Sequence, residues 1–398
     1  MSRPAGRSAA IAILVAAELA GMNPWFMANA VLPDMLRGLE VDAVLTGLLG
    51  SAVQAGFVAG ALAIAITGLA DRRDPRRIFC VAAIFAGLFN AGLVIVPPAG
   101  AEAVMLRFLT GVCLAGVYPV GMKIAVGWGT ANRGLLVGLL VAGLTAGKSG
   151  PYLLAFLGGA DWRLAVLSSS VIAAVGGLAI LATSLGPDHR TAPAFNPRAI
   201  VIAWTDGRIR AAYLGYFGHM WELFAFWAWA GVIATASYGT TLAAGEAISL
   251  GKLTAFLAVA LGAPFCILAG LIGDRIGKAE VTIVSLAASC LFGLITALAF
   301  GGPVWLVMLL LILWGIAIIP DSAQYSALVA DCAPPELSGS LLTLQTALGF
   351  TVTIFTVQAM PIAAAAVGWP LVLALLAVGP ALGILAVLPL RRRKVAVD

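Results

Sequence analysis

The chain has 398 residues, of which 62% are hydrophobic and 10% are charged, and its formal net charge is +5. A water-soluble fold is excluded, because a soluble domain carries far more charge and could not cover so much apolar surface. Continuous apolar runs such as residues 304–319 also exclude an outer-membrane β-barrel, whose strands alternate apolar and polar side chains. The composition therefore predicts an all-α membrane protein.

The predicted membrane spans follow one another with short turns, since each needs about 20 apolar residues. In the first half they lie near residues 9–35, 43–67, 78–97, 102–127, 135–157 and 163–186. In the second half they lie near residues 209–237, 247–272, 280–300, 303–330, 340–364 and 368–390. We expect an N-terminal six-helix half over 1–186, a cytoplasmic linker over 187–208 and a C-terminal six-helix half over 209–398.

The N-terminus imitates a secretory signal, because Arg3 and Arg7 precede an apolar run and residues 28–30 read Ala-Asn-Ala. That run continues past Val31, which is long for the apolar core of a signal, and further spans follow. The segment is therefore predicted to be an uncleaved first helix.

Basic residues set the expected orientation. With both termini in the cytoplasm, 17 of the 23 Lys and Arg residues fall on the cytoplasmic side, as the positive-inside rule requires of an inner-membrane protein. These clusters explain the net charge without a nucleic-acid partner, and the cluster at 391–394 can contact anionic lipid.

An internal repeat relates the two halves. Residues 68–72 read Gly-Leu-Ala-Asp-Arg and residues 270–275 read Gly-Leu-Ile-Gly-Asp-Arg, with the two glycines 202 positions apart. The same offset pairs Trp25 with Trp227, and an offset one shorter pairs Pro119 with Pro320. Two six-helix units related by duplication are therefore expected.

The two glycine-aspartate-arginine loops are similar to the signature loop of the major facilitator superfamily. The resemblance covers the whole chain, although Asp74 and Pro75 replace the family's glycine in the first copy, whereas the second copy keeps Gly277. It implies the twelve-helix fold of that family, transport by alternating access and a functional monomer that needs no cofactor and no metal.

These loops can hold two helices together on the cytoplasmic face. An aspartate at a helix end, beside arginine, can pair with the terminus of a neighbouring helix and act as a latch between them. The cytoplasmic gating residues assigned on this basis are Gly68, Asp71, Arg72, Gly270, Asp274 and Arg275. The alternative is a solvated basic loop that only sets topology, which is our interpretation of Arg76 and Arg77.

Two further segments resemble family motifs. Arg107 and Gly111 are similar to the arginine motif of the fourth helix, and residues 143–151 are similar to the glycine-proline motif of the antiporter branch. The residues that carry the second match are Gly143, Gly147, Gly150 and Pro151. Close helix packing explains them equally well, and Tyr152 replaces the glycine that follows in the family.

Ionisable groups at membrane depth are candidates for function because they are costly to bury. Those predicted here are Glu18, Arg107, Lys123, Lys148, His219, Glu222 and Asp321. The family resemblance implies that helices one, four, seven and ten line a central cavity, and only Lys148 stands on another helix.

Helical spacing arranges these groups into faces. The first face carries Glu18, Met22, Trp25 and Asn29, and the second carries His219, Glu222, Phe226 and Trp229. Asp321, Gln324 and Tyr325 form a third, while Arg107 shares its face with Gly111 and Tyr118. The first two faces place a carboxylate beside aromatic rings.

Glu222 is the predicted proton carrier, because burial favours the protonated form of a carboxylate. For His219, the alternative to a role in transport is a structural one, in which the ring is held by hydrogen bonds. For Glu18, the alternative is a structural pairing with a buried lysine or arginine. Asp321 follows Pro320, where a broken helix can form part of a substrate or ion site.

The charge of the substrate stays open at this point. Arg107 and Lys148 favour an anion, whereas the aromatic faces with their carboxylates favour an amphiphilic cation. Residues 116–123 and 321–326 resemble the subgroup related to cyanate and nitrate/nitrite transporters, which favours the anion.

The sequence thus predicts proton-coupled secondary transport of a small solute through the bilayer. The alternatives are export of amphiphilic drug-like compounds by proton antiport and a transport-dead membrane sensor. An enzyme or an ATP-driven pump is not expected, because the chain has no Gly-x4-Gly-Lys-Ser/Thr loop, two histidines and five scattered cysteines.

Overall fold

The computed structural model describes residues 6–128, 133–187, 196–334 and 336–391, and its regular structure in these ranges is entirely helical. The helices of the first half are α1 (Arg7–Gly21), α2 (Met27–Met35), α3 (Ala43–Thr67), α4 (Leu69–Arg72), α5 (Pro75–Gly92), α6 (Ala101–Leu114), α7 (Tyr118–Val126), α8 (Arg133–Leu157) and α9 (Trp162–Ala179). After α10 (Arg198–Thr205) come α11 (Gly207–Tyr238), α12 (Ala244–Ala260), α13 (Ala263–Ile276), α14 (Lys278–Ala299), α15 (Val304–Ala317), α16 (Ser322–Cys332), α17 (Ser338–Val367), α18 (Trp369–Leu376) and α19 (Val378–Val387).

These helices build twelve spans within the described chain, because spans one, four, eight, ten and twelve each consist of two consecutive helices. Nine of the spans are long and apolar enough to cross a membrane by length and composition alone. The other three are the interrupted first span, the third span with its two arginines, and the seventh span.

The outer surface of the bundle is apolar and its interior holds the charges. Ile66 is 80% exposed and Leu298 is 88% exposed, whereas Glu18 and Arg107 are fully buried. A soluble protein has the opposite distribution. This one fits a hydrocarbon solvent, in which apolar side chains face lipid and ionisable groups turn inward.

Five spans are divided, which corrects the continuous helices predicted over 9–35, 102–127, 247–272 and 368–390, whereas the break in 303–330 was expected at Pro320. Four of the five interruptions lie at or beside a proline, namely Pro24, Pro119, Pro264 and Pro320, and the fifth lies at Ala377. Proline lacks the N–H that the helix needs and its ring clashes with the preceding turn. Such breaks are tolerated at membrane depth only where protein or a cavity covers the backbone.

Helix packing repeats between the two halves. A Cβ on Gly111 would lie 2.0 Å from the Val53 carbonyl oxygen, and a Cβ on Gly315 would lie 2.0 Å from that of Ala258. Spans two and four therefore cross as closely as spans eight and ten do. Because the interruptions at Pro119 and Pro320 also correspond, the duplication seen in the sequence is present in the fold.

Glycines of α8 lie directly against α1. A Cβ on Gly147 would approach the Leu19 carbonyl oxygen to 2.4 Å, and Gly143 and Gly150 face Val15 and Asn23. Glycine at these positions lets the two backbones meet, so α8 is drawn close to the interruption in the first span.

We expect Gly147→Ala to lower the thermal unfolding temperature in detergent, because the added methyl must push α1 and α8 apart, and overpacking of this kind costs about 1–3 kcal/mol. Gly138→Ala is the matched control on the same helix, since its Cβ would meet only the Ile267 Cα at 3.7 Å. Equal unfolding temperatures for the two variants would contradict the packing argument.

The predicted linker contains a helix that the sequence analysis missed. In α10, Ala199 and Ala203 are buried, while Val201 is 61% exposed. The helix packs against α11 and α17, and the Asn196 amide donates a hydrogen bond to the Ser340 hydroxyl at 2.8 Å. This helix is therefore fixed to the C-terminal half.

Candidate functional site

The ionisable residues predicted at membrane depth meet in the middle of the bundle. Six of them are at most 1% exposed: Glu18, Arg107, Lys148, His219, Glu222 and Asp321. Lys123 is half-buried nearer the end of α7, where its ammonium donates to the Ala70 carbonyl at 2.6 Å. The structure is thus closed around its central charges.

Arg107 holds the interruption between α1 and α2. Its Nη1 donates to the Pro24 carbonyl at 2.9 Å and its Nη2 donates to the Trp25 carbonyl. Residues 22–26 leave the helical path, so their carbonyls need donors from elsewhere. The guanidinium supplies them, and its charge is directed at the backbone of the first span.

Lys148 lies in a cage of aromatic rings. Its Nζ is 4.1 Å from the ring centroid of Trp25, 4.3 Å from that of Phe224 and 5.5 Å from that of Trp227. Trp25 belongs to the first half and the other two rings to the second, and the tryptophans are the pair related by the repeat. Lys148 therefore lies between the halves, although the family resemblance left its helix outside the cavity.

The cage gives Lys148 no anionic partner among the residues that the structure describes. No carboxylate oxygen lies within ion-pair distance of its Nζ, and no acceptor lies within hydrogen-bond distance. Contact with ring faces stabilises a desolvated ammonium by roughly 2 kcal/mol. No hydrogen bond from its ammonium to another described residue is present.

Glu18 is a buried carboxylate whose two oxygens have no hydrogen-bond donor in the described part of the chain. Its Oε2 lies against Gly121 of α7, only 2.4 Å from where a Cβ would stand. Lys148 is the cation that acts on it electrostatically, and Tyr118 is a second titratable group that interacts with it.

His219 and Asp321 are in contact in the buried interior, with 3.0 Å between His219 Nδ1 and Asp321 Oδ1. Asp321 lies in the interruption of the tenth span, just before α16, so the helix break predicted at Pro320 is present. The ring of Tyr325 is 5.5 Å from that of His219, and Tyr216 is 5.6 Å from Tyr325. His219 Nε2 is left without a partner in the described residues.

Glu222 faces the interior of the second half. Its Oε2 accepts a hydrogen bond from the Ser289 hydroxyl at 2.6 Å, and its Oε1 accepts one from the Trp314 indole at 2.7 Å. Both donors are neutral. The carboxylate has no lysine, arginine or histidine within ion-pair distance in the chain as described.

The remaining predicted residues surround these groups. The Trp229 indole donates to the Val357 carbonyl at 2.9 Å, and Asn29, whose amide atoms have no partner among the described residues, lies beside Gly50. Gln324 packs against Gly273, which joins α16 to α13.

One end of the interface between the halves is closed by contacts that the sequence analysis missed. Lys252 pairs with Asp34 of the first half, and its Nζ also donates to the Gly159 carbonyl at 2.7 Å. The Ser51 hydroxyl donates to Gln358 Oε1 at 2.8 Å. All five residues lie towards the end opposite the chain termini, so we name this set the far-side closure.

A deeper contact between the halves also went unnoticed. The Tyr152 hydroxyl donates to the carbonyls of Trp227 and Ala228, at 2.5 Å and 3.1 Å. Little in the sequence indicated these contacts. Lys252 and Asp34 lie near span ends, where charged residues are common, and Tyr152 was noted only as a departure from the glycine of the family motif.

The loops at the other end fix neighbouring helices. Arg76 donates to both Asp74 oxygens and to the Thr183 carbonyl at 3.0 Å, and these hydrogen bonds lower the pKa of the Asp74 carboxyl. In the second copy, Lys278 pairs with Asp331 at 2.6 Å. Arg76 therefore has a structural role beyond setting topology.

The latch predicted in these loops stays a prediction. The side chains of Asp71 and Asp274 lie outside what the structure describes, while those of Arg72 and Arg275 are exposed. Gly68 ends α3 with a positive φ of 61°, a conformation that favours glycine, and Gly270 lies within α13 with open space beside it. Within the described residues, no three His, Cys, Asp or Glu side chains are grouped as a metal site would need.

Comparison with known proteins agrees with this architecture. Residues 14–357 match the family model of the Major Facilitator Superfamily. No curated protein matches the chain by sequence. Among solved structures, the chain is similar to a D-xylose-proton symporter, with a TM-score of 0.73, 15% identity and 95% of each chain covered.

Two further solved structures have the same fold. One is a bacterial homolog of the human lysosomal transporter Spinster, inward-facing and unoccupied, with a TM-score of 0.71, 15% identity, and 96% of this chain and 94% of that chain covered. The other is a mutant of the nucleoside transporter NupG, with a TM-score of 0.72, 13% identity, and 96% and 99% coverage.

Proposed function

The chain belongs to the major facilitator superfamily, whose model matches most of its length, and we propose that this secondary transporter couples movement of a small solute to protons. It is a transporter and not an enzyme. The symporter among its structural neighbours moves D-xylose with protons, but at 15% identity that likeness extends to the fold alone.

The observation that carries proton coupling is the state of the buried carboxylates. Glu18 has no donor in the described residues, Glu222 is met by two neutral donors, and Asp321 is met by a histidine. None has an arginine or lysine within ion-pair distance there. Burial without a fixed cation favours a neutral carboxyl over a carboxylate, so Glu18 and Glu222 are the proposed sites at which a proton is taken up and released as the site opens and closes.

The proposed cycle is alternating access between the two halves of a single chain. With both termini in the cytoplasm, the orientation that the positive-inside rule predicts for an inner-membrane protein, the far-side closure would face the periplasm. Breaking that closure opens the centre to the outside, and parting the opposite end opens it to the cytoplasm.

Purified protein in liposomes that hold an internal pH dye tests this function. We expect proton flux when a transported solute is added, and its fall to the level of empty liposomes in at least one of Glu18→Gln, Glu222→Gln and Asp321→Asn, because an amide cannot carry the proton. Glu246→Gln is the matched control, since Glu246 is exposed at the start of α12.

Solute uptake without any proton flux would overturn proton coupling and leave exchange or uniport. Export of an amphiphilic cation is the competing function, and the aromatic cage is the observation that favours it. That cage is already filled by Lys148, so we expect a cationic solute to produce no flux.

A further inference from the structure

Unpaired hydrogen-bond donors are concentrated around Lys148. Besides its ammonium, the indole N–H groups of Trp25 and Trp227 have no acceptor among the described residues, and both rings lie within cation–π distance of Nζ. A buried donor left unpaired costs about 1–3 kcal/mol. Donors that have no acceptor among the described residues can be satisfied by an acceptor on a bound ligand.

We propose that Lys148 is the docking cation for an organic anion, a carboxylate with an apolar body, and that Glu18 carries the proton that accompanies it. This inference rests on the proposed transport function and names the substrate class of the same central site. A carboxylate offers up to four lone-pair sites, so it can accept from the ammonium and from further donors such as an indole N–H.

The surroundings specify an apolar body for the ligand. The Trp25 ring is 4.9 Å from the Phe57 ring and 5.8 Å from the Phe350 ring, and the Phe26 ring is 6.0 Å from the Phe224 ring. These rings line the cage on both halves and offer no charge. Small inorganic anions would leave this apolar surface unused.

Glu18 is assigned the proton because Lys148 acts electrostatically both on Glu18 and on the bound ligand. The titratable groups described around Glu18 are Lys148 on α8 and Tyr118 on α7. Against the same part of α1, α5 presents Phe79 and α9 presents Gly176. Lys148 is thus the one positive charge that stabilises a charged Glu18 in the described chain.

When a carboxylate binds Lys148, a second negative charge lies near the ammonium that also stabilises Glu18. Two carboxylates that share a site cannot both stay ionised easily, so ligand binding favours a proton on Glu18. Linkage makes the effect reciprocal: protonation of Glu18 strengthens anion binding. Anion and proton then cross together, which makes the cycle a symport.

The test measures binding without any gradient, by thermal unfolding of the full-length protein in detergent with a series of monocarboxylates from acetate to benzoate and octanoate. We expect the apolar members to stabilise the wild type, with an apparent affinity up to about tenfold higher for each unit fall in pH, as one linked proton allows. Glu18→Gln should bind as tightly at pH 8 as at pH 5.5.

Lys148→Met should lose the stabilisation while remaining folded, because it places an unbranched apolar side chain in the aromatic cage. Lys123→Met is the matched control and should keep it. Nitrate and tetraphenylphosphonium are tested beside the carboxylates, as an inorganic anion and an organic cation. The assignment would be overturned if stabilisation persisted in Lys148→Met or was equally strong with nitrate. It would also be overturned if only tetraphenylphosphonium stabilised the protein, or if no carboxylate of the series did. Proton flux in liposomes could still be present in each of these cases, which separates this failure from failure of the proposed function.

Discussion

Arg107→Met is expected to abolish solute uptake in liposomes and to lower the unfolding temperature in detergent. Arg107 donates to the carbonyls of Pro24 and Trp25, where the first span leaves its helical path. A hydrogen bond from a charged group contributes about 1.5–3 kcal/mol, which is about ten- to a hundredfold in an equilibrium constant. Two such bonds are lost together, so the interruption and the Trp25 ring beside it lose their support.

Arg107→Lys should fall between the wild type and the methionine variant, since an ammonium keeps the charge but cannot reach both carbonyls with a planar fork. Arg163→Met is the matched control, because Arg163 is exposed at the start of α9. Wild-type uptake by Arg107→Met would show that the interruption is stable without its guanidinium.

Lys252→Met is expected to open the far-side closure. Removing one partner of a buried ion pair costs about 3–5 kcal/mol, and the lower end applies because Asp34 keeps its pairing with Arg37 at 2.6 Å. This free energy is lost only in the state in which the closure is formed. The equilibrium between the two states therefore shifts towards the one that is open at this end.

The measurement is the rate at which a membrane-impermeant maleimide labels Ser51→Cys in a background without the five native cysteines. Ser51 is 3% exposed, so labelling should be slow in this background and at least about tenfold faster when Lys252→Met is added, by the same free-energy argument. Asp34→Asn in combination with Lys252→Met removes both charges and should restore part of the slow rate. An unchanged rate in Lys252→Met would show that the ion pair does not hold this end shut.

Helix count, duplication and the central charges followed from the sequence because they depend on apolar length, spacing and the rarity of buried charge. The break at Pro320 was expected from the sequence, but the breaks at Pro24, Pro119 and Pro264 were not, because proline in an apolar run can either bend a helix or break it. Pro24 and Arg107 were both visible too. The hydrogen bond between them could not be predicted, because contacts between spans depend on how each helix is rotated in the bundle.

Lys148 shows the same limit. Spacing assigns a residue to a face of its own helix but does not say which neighbour that face meets, and the family resemblance placed span five outside the cavity. Gly147 meets the backbone of α1 at Leu19, and Lys148 follows it directly in the chain, but this contact could not be derived from spacing along α8. Asp34 and Lys252 were passed over for a different reason, since charges near span ends ordinarily face water.

The cage built from both halves bears on how an empty carrier returns across the membrane. A transporter that must enclose a bare ammonium without its cargo meets a large desolvation penalty, and such a protein is confined to exchanging one solute for another. In the anion symport proposed above, aromatic rings from both halves stabilise the ammonium of Lys148 when no anion is bound. We therefore expect the unloaded protein to reorient, and each cycle to give net accumulation instead of one-for-one counterflow.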